Sequence, residues 1–228
     1  MIKSLRHKAF KMKQRIKKIS KSTKPHYKTV KEYWVQKMPY KNIDDRLDLF
    51  RKECEHKDVL HFGCTDWPVF NAENNLHMML SEYTKSIDGF DIDKPGIENL
   101  RKYVDQDYFS DFESLPSKKY DVCLIPETIE HVDNVAQFLK NISTINATKF
   151  LITAPNCFSK ARQQNYHIED GVFTEVVHPD HNAWYSPYTL KNVIEKYSNL
   201  SVTKVYLMQR GTMICCEAKR NDIPTENL

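Results

Sequence analysis

Carboxylates and imidazoles, the side chains best suited to moving protons, occur close together at two places in this sequence. Glu130 and His131 follow one apolar run, and His178, Asp180 and His181 lie farther along the chain. A histidine beside a glutamate can act near neutral pH as the general base for a hydroxyl nucleophile. The alternative for Glu130 and His131 is that they only cap and brace the helix that follows.

Two further residues have the character of a nucleotide-binding site. Asp91 ends a short apolar run, and a carboxylate at the end of a strand can accept hydrogen bonds from both hydroxyls of a ribose. Its alternative role is a helix N-cap, for which Asp93 is better placed. Gly63 follows another apolar run, where the lack of a side chain lets the backbone approach a ligand closely. The five glycines are too dispersed for a P-loop or a G-x-G-x-x-G fingerprint, so both are excluded.

Short apolar runs alternate with helical patterns from Asp58 onward, and these elements must position the candidate residues. Strands are predicted at 59–62, 86–90, 122–125, 150–153, 202–208 and 213–217, and helices at 76–85, 96–101, 135–145 and 187–197. Strands separated by helices favour a mostly parallel sheet covered on both faces. A short turn at Arg210-Gly211 makes the last two strands an antiparallel hairpin at the edge of the sheet. Ser186 before Pro187 predicts the start of the last helix.

Four of these segments occur in an order that resembles a known family. They read DVLHFGCTDWP (58–68), IDGFDID (87–93), YDVCLIPETIEHVDN (120–134) and KFLITAPN (149–156). Together they are similar to the successive motifs of the class I S-adenosylmethionine-dependent methyltransferases, most closely of the branch that modifies small molecules and glycans. The resemblance implies S-adenosylmethionine as cofactor and a Rossmann-like, doubly wound α/β fold. Its mostly parallel sheet would have seven strands and an antiparallel C-terminal hairpin.

The resemblance also implies roles for individual residues. Asp91 is the implied ribose ligand, and Asp66 can bind the ammonium group of the cofactor. Asp111 is the implied adenine contact, with Asp107 as its rival; both have the alternative of being solvated loop acids. The full set of implied cofactor contacts is Gly63, Cys64, Asp66, Asp91, Asp107, Asp111 and Glu127, and the implied catalytic residues are Glu130, His131 and His181.

A substrate lid is expected between Asn156 and Ser186, where the sequence has no clear periodicity. Its last part, HPDHNAWYSPYTL at 178–190, resembles a metal-free pattern of the family. We therefore expect no metal, although His178, Asp180 and His181 are of the types that bind one. His181 is instead predicted to be a base or hydrogen-bond donor on the substrate side.

Two positions depart from the family pattern in the first motif. His61 stands where an acid is usual, and Thr65-Asp66 replaces a second glycine. A degenerate first motif also occurs in proteins that keep the fold without catalysis. A non-catalytic methyltransferase-like binding subunit is therefore an alternative to the enzyme.

The N-terminal segment differs from the rest of the chain in charge. Residues 1–41 contain 14 Lys and Arg and one acidic residue, whereas the remainder contains 20 Lys and Arg and 29 acidic residues. Within residues 1–24, apolar residues recur at steps of three and four, which predicts a helix with one apolar and one cationic face. Three interpretations stay open: contact with an anionic membrane, contact with nucleic acid or another polyanion, and packing on the body or on a second copy.

The sequence thus predicts a basic helical arm and linker at 1–42, a methyltransferase-like domain at 43–220 and a polar tail at 221–228. The implied reaction moves a methyl group to an oxygen, or less favourably a nitrogen, of a small molecule or glycan. An RNA methyltransferase that uses the arm is a further alternative. The six cysteines form no C-x-x-C pair and have no spacing suited to zinc, and the chain has no stretch of 18 or more apolar residues. These features predict a cytoplasmic protein, with peripheral contact to a membrane or polyanion through residues 1–24.

Overall fold

The computed structural model describes residues 31–66, 70–161 and 165–221. The chain divides into two compact units, residues 1–37 and 38–228. The described part of the first unit contains a 3-10 helix at Glu32–Trp34. The predicted helix within residues 1–24 and the tail residues 222–228 lie outside the described residues.

The second unit is built on one large mixed sheet of eight strands within the described residues. Its strands are β1 (Lys41–Ile43), β2 (Asp58–Phe62), β3 (Ser86–Phe90), β4 (Tyr108–Phe109), β5 (Tyr120–Ile125), β6 (Ala147–Pro155), β9 (Leu200–Met208) and β10 (Met213–Arg220). Their order is β1-β9-β10-β6-β5-β2-β3-β4. Neighbouring strands are parallel except where β10 pairs with β6 and β9.

Five α-helices of the described residues cover the two faces of this sheet. They are α1 (Arg46–Cys54), α2 (Leu76–Ser81), α3 (Lys94–Leu100), α4 (Val135–Ile142) and α5 (Pro187–Tyr197). Successive side chains of a strand point to opposite faces, so Leu60 and Phe62 enter one core cluster and Val59 enters another. Helices α4 and α5 close the first cluster, and α1 and α2 close the second. The predicted doubly wound α/β fold is confirmed.

The edge of the sheet differs from the prediction. Strand β1 pairs in parallel with β9, from Lys41 opposite Tyr206 to Ile43 opposite Met208, and raises the strand count from the predicted seven to eight. The predicted hairpin of β9 and β10 is present, but it is not at the edge, because β10 lies between β9 and β6. Residues 41 and 42, part of the predicted linker, belong to this first strand.

Helix α5 begins at the predicted residue because its N-terminus is fully capped. The Ser186 hydroxyl accepts a hydrogen bond from the Thr189 amide at 3.1 Å, and the Thr189 hydroxyl accepts one from the Ser186 amide at 2.8 Å. This reciprocal capping box satisfies two amides, and Pro187 at the first turn has no amide to satisfy.

None of the described helices combines the length and apolar character that crossing a lipid bilayer requires.

The segment before α5 contains a second, small sheet that the sequence did not predict. β7 (Tyr166–Glu169) and β8 (Val172–Glu175) pair in an antiparallel hairpin, and all eight residues are exposed. The rings of Tyr166 and Phe173 stack with centroids 5.7 Å apart. β7 reads YHIE, which alternates apolar and polar residues over only four positions, and β8 reads VFTE, which does not alternate, so the pattern is too short to predict a hairpin.

Candidate active site

A cleft of about 680 Å³ opens at the carboxyl ends of β2, β3 and β5. Strand β2 has β3 on one side and β5 on the other, so the strand order reverses there. Open α/β sheets bind ligands at such a reversal, outside the carboxyl ends of the strands. Of the predicted site residues, the cleft is lined by Gly63, Asp66, Asp91, Glu127, His131 and His181.

Gly63 and Cys64 follow β2 but face different surroundings. Gly63 has φ +67°, a region that favours glycine, and an added Cβ would lie 2.9 Å from the Thr128 hydroxyl. Cys64 is fully buried and packs with Ile97 and Leu100 of α3, and burial raises the pKa of its thiol. Gly63 therefore forms part of the cleft wall, whereas Cys64 packs behind it.

Asp91 lies immediately after β3 and is held by hydrogen bonds from two neighbouring residues. Its Oδ2 accepts from the Thr65 amide at 3.0 Å and from the Thr65 hydroxyl at 2.8 Å. Its Oδ1 accepts from the Asp93 amide at 3.0 Å. A carboxylate has about four lone-pair positions. A ligand hydroxyl can therefore bind at the remaining position or displace the Thr65 hydroxyl.

Asp66 and Glu127 also line the cleft, and both have unusual backbone angles. Their φ values are +54° and +45°, in the left-handed region that non-glycine residues seldom adopt. The Asp66 carboxylate accepts a hydrogen bond from the Asn75 amide group at 3.1 Å. The Thr153 hydroxyl accepts from the Glu127 amide at 3.0 Å and lies 3.2 Å from its Oε1. These contacts fix both carboxylates at the rim of the sheet.

Asp107 and Asp111, the two predicted adenine contacts, are exposed and are not among the described residues that line the cleft. Asp111 instead accepts a hydrogen bond from the Ser114 amide at 2.7 Å, which closes a local turn. Its neighbour Phe112 points inward and lies against Phe90, with ring centroids 5.0 Å apart.

The three predicted catalytic residues come together at one end of the cleft. Glu130 is fully buried, and half-buried His131 and His181 line the wall. One oxygen or nitrogen atom of each residue lies within 4.8 Å of the corresponding atoms of the other two. The His131 and His181 ring centroids are 4.6 Å apart, with an angle of 86° between the planes.

Two electrostatic effects act on this cluster. Burial lowers the pKa of His131, and the neighbouring His178 lowers it further, while Asp180 acts in the opposite direction. His131 is therefore neutral near pH 7 and its imidazole can accept a proton or bind a ligand. Burial and the negative charge of Glu130 together raise the pKa of Tyr185 to about 12.

The cleft contains residues that the sequence did not single out for a role. Thr65 binds Asp91, and half-buried Arg46 at the start of α1 lines the wall. His61 is buried, with its Nδ1 3.2 Å from Nδ1 of buried His77 on α2. Burial holds the pKa of His61 well below its usual value, and the charge of His77 adds to this effect. No sequence signal marks His77 or Arg46, because each reads as an ordinary residue of a helical pattern.

The protein family to which this chain belongs follows from a sequence comparison. The model of a family described as a methyltransferase domain matches residues 34–204, well over half of the chain. The chain therefore belongs to that family. The match confirms the predictions of a class I methyltransferase, of methyltransferase activity and of S-adenosylmethionine as cofactor. No curated protein has a sequence that matches this chain.

Solved structures of methyltransferases have the same fold. An S-adenosylmethionine-dependent methyltransferase from Mesorhizobium loti is 13% identical, with 74% of this chain and 93% of that chain covered and a TM-score of 0.50. One from Archaeoglobus fulgidus is 18% identical, with 77% of this chain and 91% of that chain covered and a TM-score of 0.52. The methyltransferase fold is also shared by DhpI in its SAH complex, at 14% identity, 78% and 83% coverage and a TM-score of 0.51.

The residues present fit S-adenosylmethionine. The Asp91 carboxylate projects at the end of β3, where a nucleotide's ribose meets an acid in this type of sheet. Asp93 also lines the cleft, and its buried Oδ2 has no hydrogen-bond partner among the described residues. Arg46 and Asp66 supply opposite charges within the same cleft, which suits the carboxylate and ammonium groups of an amino acid.

Proposed function

We propose that this methyltransferase transfers its methyl group to an oxygen atom of a small molecule or glycan. The observation that carries this proposal is the cluster of Glu130, His131 and His181 at the end of the cleft. A neutral amine is nucleophilic as it stands, whereas a hydroxyl group must lose its proton as it attacks. A dedicated cluster of proton-accepting side chains therefore favours an oxygen acceptor.

The chain's own residues hold the cofactor at one end of the cleft and the acceptor at the other. Asp91 accepts hydrogen bonds from the ribose, Gly63 leaves room for the ligand beside the backbone, and Asp66 pairs with the ammonium group. Arg46 pairs with the carboxylate of the same moiety. When bound, S-adenosylmethionine supplies a methyl group that its sulfonium already activates. The residues at the other end need only to orient an acceptor and to take up its proton.

The acceptor side combines polar and aromatic surfaces. The half-buried His131 and His181 face the cleft, and the Trp184 ring lies 5.6 Å from the His181 ring. Hydrogen-bonding imidazoles beside an aromatic ring suit a ligand with both hydroxyl groups and apolar ring faces, as in a sugar or a phenol.

All six cysteines are free thiols, which supports a reducing, cytoplasmic location.

The test uses a panel of hydroxylated and aminated acceptors with isotopically labelled S-adenosylmethionine, read by fragmentation mass spectrometry. We expect the label on an oxygen and a turnover at least about 100-fold lower in His181→Ala, the loss expected for an acid-base group. His167→Ala is the matched control, because His167 is an exposed histidine 3.0 Å from Glu169, outside the cleft wall. Label found only on nitrogen overturns the oxygen proposal. A protein that binds the cofactor but transfers no label supports the non-catalytic alternative.

A further inference from the structure

We propose that Glu130, His131 and His181 bind one divalent transition-metal ion at the acceptor end of the cleft. The role of this ion rests on the proposed function, whereas its binding follows from the geometry of the three side chains. The sequence predicts no metal, and its alternative metal site combined His181 with His178 and Asp180. The structure instead brings His181 together with Glu130 and His131.

The distances between the three donor atoms are close to those of a metal site. The carboxylate and the two imidazoles each offer one atom, and all three atoms lie within 4.8 Å of one another. Nitrogen and oxygen ligands at about 2.0–2.2 Å from one ion lie at most about 4.4 Å apart. Small side-chain rotations are therefore enough to close the three donors around an ion.

Hydrogen bonds hold the two segments of this cluster together. The Asn182 amide donates to the Glu130 carbonyl at 2.7 Å, and the Asn182 side chain donates to the His131 carbonyl at 2.8 Å. The His181 amide donates to the His178 carbonyl at 3.1 Å, which tightens the turn that carries His181. The lid segment is thus fixed to the end of β5, and the donors are positioned in advance of any ligand.

The surroundings of the cluster are closed on one side and open on the other. Glu130 is 0% exposed, whereas both imidazoles line the cleft. A carboxylate charge in such a buried position is stabilised when a cation lies against it. Three protein ligands leave at least one coordination position, and the cleft is the open side on which an outside ligand can reach it.

The donor types define the class of ion. Two imidazole nitrogens and one carboxylate oxygen suit Zn²⁺, Mn²⁺ or Co²⁺, whereas Ca²⁺ and Mg²⁺ prefer sites made of oxygen atoms. His178 lies just outside the three donors, with its ring centroid 5.9 Å from that of His181 and its Nδ1 3.8 Å from the Asp180 carboxylate.

An ion in this position explains how the cluster acts on an oxygen acceptor. A hydroxyl group that binds a divalent cation has a lower pKa. Its O–H bond then breaks with the electron pair left on oxygen, and the proton passes to water. An imidazole nitrogen whose lone pair binds the ion does not itself take a proton. With the ion bound, His131 and His181 act as ligands, and the ion replaces the general-base role that the proposed function gives them. Both arrangements favour a hydroxyl acceptor.

The test measures ion binding without acceptor or cofactor. The full chain is stripped with a chelator and titrated with Co²⁺ by visible absorption and with Mn²⁺ by electron paramagnetic resonance. We expect one ion per chain and at least about 100-fold weaker binding in His181→Ala and Glu130→Gln, because each loses a ligand. His167→Ala is the control, and circular dichroism checks that every variant is folded.

The outcomes separate this site from the proposed function. Equal ion affinity in His181→Ala and His167→Ala overturns the site. Full oxygen methylation in the presence of excess chelator overturns the role of the ion in the reaction. Ion binding that depends on His181, in a protein that labels only nitrogen acceptors, supports the site and overturns the oxygen proposal instead.

Discussion

At the scale of single residues, we expect cofactor binding to depend most on Asp91. We expect Asp91→Ala to weaken S-adenosylmethionine binding by about 1.5–3 kcal/mol, or roughly 10- to 150-fold, because charge-assisted hydrogen bonds to the ribose are lost. Calorimetric titration measures the affinity. Asp105→Ala is the matched control, since Asp105 is an exposed acid on the loop between α3 and β4 and does not line the cleft. Equal affinities of the two variants would remove Asp91 from the site.

The sequence predicted Asp91 and Gly63 because a strand end specifies both the position and the side chain that a nucleotide needs. It could not show that the Thr65 amide and hydroxyl already bind the same carboxylate, because that contact joins residues from two strand ends. Cys64 also follows a strand, but its side chain is directed into the core, and composition alone cannot separate a wall residue from one packed behind the wall. The roles of Asp107 and Asp111 as adenine contacts stay predictions.

At the scale of elements, two buried histidines join β2 to α2 beneath the cleft. His61 and His77 face each other through their Nδ1 atoms at 3.2 Å, and their rings stack with centroids 5.4 Å apart. Burial lowers the pKa of His77 to about 3, and it lowers that of His61 well below the usual value. Both imidazoles are therefore neutral in the folded protein, and the strand and helix pack without a buried charge.

This pair makes folding stability depend on pH. Both histidines titrate near pH 6.5 in the unfolded chain and stay neutral well below that pH in the folded chain, so unfolding takes up protons. The free energy of unfolding should fall as the pH falls below about 6.5, by up to about 1.4 kcal/mol per pH unit for each histidine. For His77 the fall extends toward its folded pKa of about 3.

Urea unfolding between about pH 7.5 and about pH 5 measures this dependence. His77→Gln should reduce the slope by about one proton, because the titrating group is gone. His167→Gln removes an exposed histidine and should leave the slope unchanged. The same slope in His77→Gln and in the original protein would show that His77 does not stay neutral on folding.

The elements that the sequence predicted well are those whose pattern is imposed by local chemistry or by burial. Strands such as β5 contain a continuous apolar run, Val122–Ile125, because both faces are covered, and α5 is specified by its capping box. Strand β4 is only Tyr108–Phe109, too short for any pattern, and β1 reads KNI with two exposed residues. These two strands form because β3 and β9 offer free edges, and the local sequence of a strand does not show which edges the folded sheet leaves free.

At the scale of the whole molecule, the charge is divided between the N-terminal arm and the rest of the chain. Residues 1–24 contain ten Lys and Arg and no acidic residue, while residues 42–228 contain nine more acidic than basic residues. The family match begins at residue 34, and the cleft residues that the structure describes all lie beyond residue 45. Binding of the cofactor and binding of an anionic surface should therefore be separable.

Deleting residues 1–24 should leave folding and S-adenosylmethionine affinity nearly unchanged and should abolish binding to anionic vesicles and polyanions. Vesicle sedimentation and calorimetry measure the two properties on the same preparations. Binding of the full chain should weaken steeply with added salt, because exposed cations act through charge that is screened over about 10 Å at 0.1 M salt. Deletion of residues 222–228 is the control and should change neither property.

A charge variant of residues 1–24 tests their predicted cationic face separately from their apolar residues. It keeps every apolar residue and combines Lys8→Gln, Lys11→Gln, Lys17→Gln and Lys18→Gln. We expect it to bind vesicles more weakly by about 1 kcal/mol per lysine removed, because each contributes about that much near an anionic surface. A deletion variant that no longer binds S-adenosylmethionine would show that the arm supports the cleft. A full chain that binds neither vesicles nor polyanions would leave packing on the body or on a second copy as the role of the predicted helix.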